Sequence, residues 1–132
     1  MKKVFINGCF DILHVGHIRL FEFAKIYGEK LIVAIDSDKR VSKLKGPSRP
    51  INSQECRKEM LLAIKHIDNV CIFDSENDLV DLVFNINPDI MIVGEEYKNK
   101  NVIGSEYAKK LIYFNKVNGY STTSTIQNLT DR

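Results

Sequence analysis

The chain has 132 residues, of which 44% are hydrophobic and 27% charged, with a formal net charge of +2. That length suits one globular domain, spanning 1–132, with a core of its own and no need of disulfide staples. So small a net charge argues against wholesale electrostatic attraction to nucleic acid or to an anionic membrane surface.

Three cysteines without a Cys-x-x-Cys pair point to reduced thiols. In chain order, Val4 to Ile6 reads as the first strand. Lys2 and Lys3 precede it, but Asn7 and Gly8 end the apolar run after three residues. That is too short for a signal peptide or a membrane span, so the cytoplasm is the expected compartment.

The stretch Asn7-Gly8-Cys9-Phe10-Asp11-Ile12-Leu13-His14-Val15-Gly16-His17 follows. Two glycines and two histidines cluster where a strand hands over to a helix. Backbone N–H groups and imidazole donors converge at such a junction, which suits a phosphate. His14 and His17 are three apart, so a helix beginning near Val15 sets both rings on one side of its first turn. Gly16 lets a ligand oxygen approach the backbone closely. The element reads in three ways: as a cradle for triphosphate oxygens, as a structural cap, or as a metal site. A metal would need further ligands from Cys9, Asp11 or His66, whose spacings repeat no known set. Asp11 orients a ring or a backbone amide, or is a turn residue. Cys9 has no identifiable base and reads as a small buried hydrophobe.

A helix over Ile18 to Tyr27, stopped by Gly28, leads to a second strand at Leu31 to Ile35. From Lys39 to Gln54 there is no acidic residue, while Lys39, Arg40, Lys43, Lys45 and Arg49 all fall there. On a helix over Lys39 to Leu44 most of that charge is a solvated face. Lys45-Gly46-Pro47-Ser48-Arg49-Pro50 is an irregular cationic loop, able to act as a lid that brings Lys45 onto a phosphate. Asn52 and Glu55 have the spacing of a capping box for a helix over Gln54 to Lys65. Arg57, near its start, either addresses an anion together with the helix dipole or pairs within the helix.

Strands at Val70 to Phe73, Ile90 to Val93 and Leu111 to Phe114 alternate with helices at Asp78 to Asn85 and Ser105 to Lys110, with Pro88 as punctuation. A weak helical segment, Ser124 to Leu129, follows Gly119-Tyr120-Ser121-Thr122-Thr123, whose hydroxyls either cap it or face a phosphate-bearing ligand. This rhythm implies an α/β fold, a Rossmann-like open parallel sheet of about five strands with helices on both faces. Ligands in such sheets sit beyond the carboxyl ends of the strands, here the loops after Ile6, Ile35, Val93 and Phe114. The chain has no G-x-G-x-x-G, no P-loop and no G-x-S-x-G, so dinucleotide, P-loop and hydrolase-elbow chemistry have no support.

Taken together, Gly8-x-Phe10-Asp11, His14-x-Gly16-His17, the lysine-bearing loop, Arg57 and Ser121-Thr122-Thr123 resemble the small cytidylyltransferase-like nucleotidyltransferases of the His-x-Gly-His type. Lys45 to Asn52, Pro88-Asp89, Tyr97, Val102 to Glu106 and Gly119 to Thr123 look like the branch that adenylylates heptose 1-phosphates. The glycerol-3-phosphate cytidylyltransferases are the next relatives. They carry Arg-Thr-Glu-Gly where this chain has Lys116-Val117-Asn118-Gly119, which favours ATP over CTP. Val93 replaces a lysine of the heptose enzymes, and Gly94-Glu95-Glu96-Tyr97 has an extra acidic residue.

The resemblance implies attack of an acceptor phosphate on the α-phosphorus of a nucleoside triphosphate, with release of pyrophosphate and no covalent intermediate. It implies that His14 and His17 steady the α- and β-phosphates and that Lys45 and Arg57 meet triphosphate charge. Gly8, Cys9, Phe10, Asp11, Gly16, Gly94, Tyr97, Ser121, Thr122 and Thr123 would hold the nucleotide. Mg²⁺ would travel with the triphosphate rather than in a protein cage, and the enzyme would be a homodimer. A non-enzymatic rival is a nucleotide-binding module that kept the fold without turnover.

Overall fold

The computed structural model describes residues 1–115. In chain order its elements are β1 (Lys3–Gly8), α1 (Val15–Lys25), β2 (Lys30–Asp36), α2 (Asp38–Lys45), α3 (Gln54–Leu62), β3 (Asn69–Phe73), α4 (Glu76–Ile86), β4 (Ile90–Gly94) and β5 (Lys110–Phe114). Single 3₁₀ turns at Glu95–Tyr97 and Ser105–Tyr107 lie between β4 and β5. All five strands are parallel, in the order β3-β2-β1-β4-β5. The expected α/β sheet with helices on both faces is what forms.

Two apolar layers explain why the strands are so continuously hydrophobic. Leu31, Ile32, Val33, Ala34 and Ile35 are all buried because their side chains alternate between two covered faces. On one face Leu31, Val33 and Ile35 pack with Phe21 and Ala24 of α1 and Leu61 of α3. On the other, Ile32 and Ala34 pack with Phe73 and with Leu79 and Val83 of α4.

Serines set the starts of α2, α3 and α4: the Oγ atoms of Ser37, Ser53 and Ser75 accept from the N–H groups of Arg40, Cys56 and Asp78 at 3.2, 3.2 and 3.1 Å. Ser53, not Asn52, is therefore the cap of α3, and the Asn52 and Glu55 box does not form. The helix expected over Ser105 to Lys110 is a correction. Only a 3₁₀ turn forms at Ser105–Tyr107, and Lys110 already belongs to β5, pairing with Ile90. Gly104, at φ +82°, sets that turn in a left-handed conformation.

The order in which strands are added reverses at β1. The chain steps outward from β1 to β2 and β3, then returns to β4 on the other side of β1. β1 pairs with β2 along its whole length, up to Gly8 opposite Ile35. With β4 it pairs only at Val4 opposite Ile90 and Phe5 opposite Met91. The two strands part beyond Phe5, which opens a crevice at the topological switch point, where open parallel sheets bind ligands.

Candidate functional site

The crevice is bordered by the turn that follows β1. Phe10 adopts φ +51° there and buries its ring against Phe21 (ring centres 5.4 Å apart) and edge-on to His17 (5.1 Å). Gly8 is required by this turn, since a Cβ would lie 2.9 Å from the Phe10 ring. The reversal delivers the chain to α1 with His14 as its N-cap.

Both histidines are locked by the helix start. Nδ1 of His14 accepts from the Gly16 N–H at 3.1 Å, and Nδ1 of His17 accepts from the His14 N–H at 3.2 Å. This is a capping box built from imidazoles. The rings stack with centres 3.8 Å apart and planes 21° apart. A neutral imidazole that accepts at Nδ1 carries its proton on Nε2, so each ring turns an N–H donor away from the backbone. The cap reading of the sequence is what forms. Among the described residues no three His, Cys, Asp or Glu side chains converge in a way that would hold a metal ion.

Asp11 is buried and orients backbone amides. Its two oxygens accept from the N–H groups of Ile51 and Asn52, both at 2.8 Å, and its carbonyl accepts from Asn52 Nδ2 at 2.7 Å. Arg49 Nε lies 3.5 Å from the same carboxylate. The loop that follows α2 is thereby tied to the turn that carries the histidines. Lys45, the last residue of α2, is exposed and lines the crevice.

Arg57 is placed differently from the sequence expectation. Its residue is 1% exposed. Nη1 donates to the carbonyls of Cys9 (2.9 Å) and Asp36 (2.8 Å), Nε to the carbonyl of Asn52 (3.0 Å), and Nη2 to Asp38 Oδ1 (2.9 Å). The guanidinium is occupied in stapling together the carboxyl ends of β1 and β2 and the start of α3. It positions the site from beneath rather than reaching into it.

A cavity of about 360 Å³ occupies the crevice, within the range of small-molecule sites. Gly8, Cys9, Gly94 and Tyr97 of the expected set line it, as do Asn7, Asp36 and Arg40, which sequence reading did not single out as ligand-facing. Asp36 ends β2, and an acidic residue directly after a buried apolar strand was the signal available for it. Burial pushes its carboxyl pKa up against the opposing pull of Arg40. Burial likewise raises the Cys9 thiol, which suits the inert reading of that cysteine. Gly94 stands at the cavity rim beside the exposed Glu96 carboxylate. Ser121, Thr122 and Thr123, and the segment Ser124 to Leu129, lie outside the described residues.

A parallel sheet with a histidine-capped helix beside its switch point is the arrangement that comparison with known proteins places in a family. Residues 5–128 match the cytidylyltransferase-like family model, so the chain belongs to that family. It is 46% identical over 128 residues to the bifunctional protein HldE of Sulfurimonas denitrificans and 44% identical over 126 residues to that of Campylobacter fetus. Those matches take in 97% and 96% of this chain but only 27% of each relative. A lipopolysaccharide core biosynthesis protein from Thermoplasma volcanium superposes with a TM-score of 0.74 at 26% identity, covering 89% of this chain and 99% of that one.

Proposed function

We propose that this chain is an adenylyltransferase that joins AMP from ATP to a sugar 1-phosphate of heptose size, releasing pyrophosphate. The observation that carries this reading is the stacked His14 and His17 pair, whose Nδ1 atoms are held by backbone N–H groups at the amino end of α1. Similarity to HldE and to a lipopolysaccharide core biosynthesis protein supports an acceptor drawn from sugar activation.

An oxygen of the acceptor phosphate forms a bond to the α-phosphorus, and the bond from that phosphorus to the α,β-bridging oxygen breaks. The electron pair leaves on pyrophosphate. The attacking oxygen is already ionised at neutral pH, so the protein has no proton to remove. Its task is to position the reactants and to stabilise charge as it moves toward the leaving group. The Nε2–H donors of His14 and His17 and the positive end of α1 meet that charge, and Lys45 adds a cation from the rim. Mg²⁺ enters as part of the triphosphate substrate, bound to its oxygens. Cytoplasmic location, on the strength of the unpaired cysteines, and a homodimer, on the strength of the family resemblance, complete the proposal.

Pyrophosphate release measured with ATP and with CTP across a panel of acceptor phosphates tests the reading. Turnover of ATP with a sugar 1-phosphate is expected; turnover with CTP and a polyol phosphate alone overturns it. His17→Ala should keep the fold by circular dichroism and lower kcat by about 10²-fold, the usual cost of one oxyanion donor.

A further inference from the structure

The cavity and the histidine pair lie on opposite sides of the β1 tip. His14 and His17 stand on α1, whose Phe21 and Ala24 belong to the first apolar layer. The cavity is floored by Phe73, Leu79 and Val102, which belong to the layer under α4. The two compartments meet at Gly8 and Cys9. In an in-line displacement the entering oxygen and the leaving pyrophosphate must stand on opposite sides of the α-phosphorus. With pyrophosphate drawn to the histidines, the entering group comes from the cavity.

Polar groups of the cavity wall are arranged for hydroxyls. Asp36 and Arg40 have side chains only 18% and 16% exposed, and Arg40 Nε donates to Asp36 Oδ1 at 3.2 Å. Arg40 is itself fixed with its guanidinium 5.5 Å from the centre of the Phe73 ring. Of the two oxygens of Asp36, the hydrogen bond from Arg40 takes Oδ1. A carboxylate in this position repels a phosphate and attracts O–H donors, while Lys45 at the rim does the reverse. The geometry points to Asp36 as the residue that reads the hydroxyl-bearing body of the acceptor, which lies deep in the cavity with its phosphate toward Lys45 and the β1 tip.

This inference rests on the sugar phosphate reading above, and a single set of measurements separates the two. With ATP and the best sugar 1-phosphate, Asp36→Asn should raise the acceptor KM about tenfold or more, the cost of losing a hydrogen bond to a charged group. The KM for ATP should move less than about twofold. A series of acceptors each lacking one hydroxyl, run with unaltered protein, should contain at least one that is poorer by a similar factor, and Asp36→Asn should erase that difference. If Asp36→Asn fails to fold, Asp36→Ser run on the same series makes the comparison, and a discrimination among the deoxy acceptors that either folded variant leaves intact overturns the assignment. Equal use of all the deoxy acceptors overturns the assignment, as does a rise in the KM for ATP with that of the acceptor unchanged, which would place Asp36 against the nucleotide ribose. Absence of turnover with any sugar phosphate overturns the functional reading first and this one with it.

Discussion

Single residues divide into those whose chemistry is local and those whose role depends on what the fold brings to them. His14 and His17 are of the first kind: their spacing, the glycine between them and the preceding strand already imply rings on one side of a helix start, and the stacked pair is what forms. Arg57 is of the second kind. Its place near a helix start suggests an anion, yet three carbonyls from the ends of β1, β2 and the loop before α3 converge on it together with Asp38. Nothing along the chain announces such convergence, because Cys9 is 48 residues away. Arg57→Met should therefore cost stability, about 3 kcal/mol, as removal of one partner from a buried charged network does. Urea unfolding measures it. A variant with unchanged midpoint and a raised KM for triphosphate would instead return Arg57 to direct ligand contact.

At the scale of elements, local signals located the strands and longer helices well and failed where tertiary pairing took over. Ser105 to Lys110 has helical spacing, but Lys109 N–H donates to the Pro88 carbonyl and Lys110 N–H to that of Asp89, which draws the segment onto the β4 edge. A strand edge offering such partners outweighs the weak helical preference of six residues. Asp68 performs a comparable tie between α1 and β2. Its Oδ2 accepts from Lys25 Nζ and from the Leu31 N–H, both at 2.7 Å. Burial pushes its pKa up, but the hydrogen bonds from Lys25 and Leu31 and the charges of Lys25 and Lys30 outweigh this and hold it below the ordinary carboxylate value. A depressed folded pKa means that the contribution to stability is complete above the unfolded value and is lost as pH falls through the folded one. Thermal unfolding followed from pH 6 downward should decline through that acid window, and Asp68→Asn should flatten this part of the decline.

For the whole molecule, the strand order places the site. β1 is central, its neighbours lead away in opposite directions, and it parts from β4 beyond Phe5, so turn, lysine loop and β4 rim meet at one crevice. A ligand bound there touches elements that fold together, so binding should register globally. Mg²⁺ and ATP at one hundred times Kd should stabilise the protein by about 2.7 kcal/mol, a rise in Tm of roughly ten degrees. Differential scanning calorimetry with ATP and with CTP reads this directly; a larger shift with CTP would reverse the nucleotide preference.

The amino-acid sequence by itself determined the alternation of strands and helices, and hence the parallel α/β class, because hydrophobic period and turn residues act over a few positions. It also determined the histidine pair, whose geometry is set within one helical turn. Tertiary structure alone decided the inward, stapling role of Arg57, the conversion of Ser105 to Lys110 into a turn and a strand edge, and the meeting of Asp36, Arg40 and Lys45 with Gly94 and Tyr97 in one cavity. These depend on which strands become neighbours and where they part, contacts between residues tens of positions apart that no local pattern encodes.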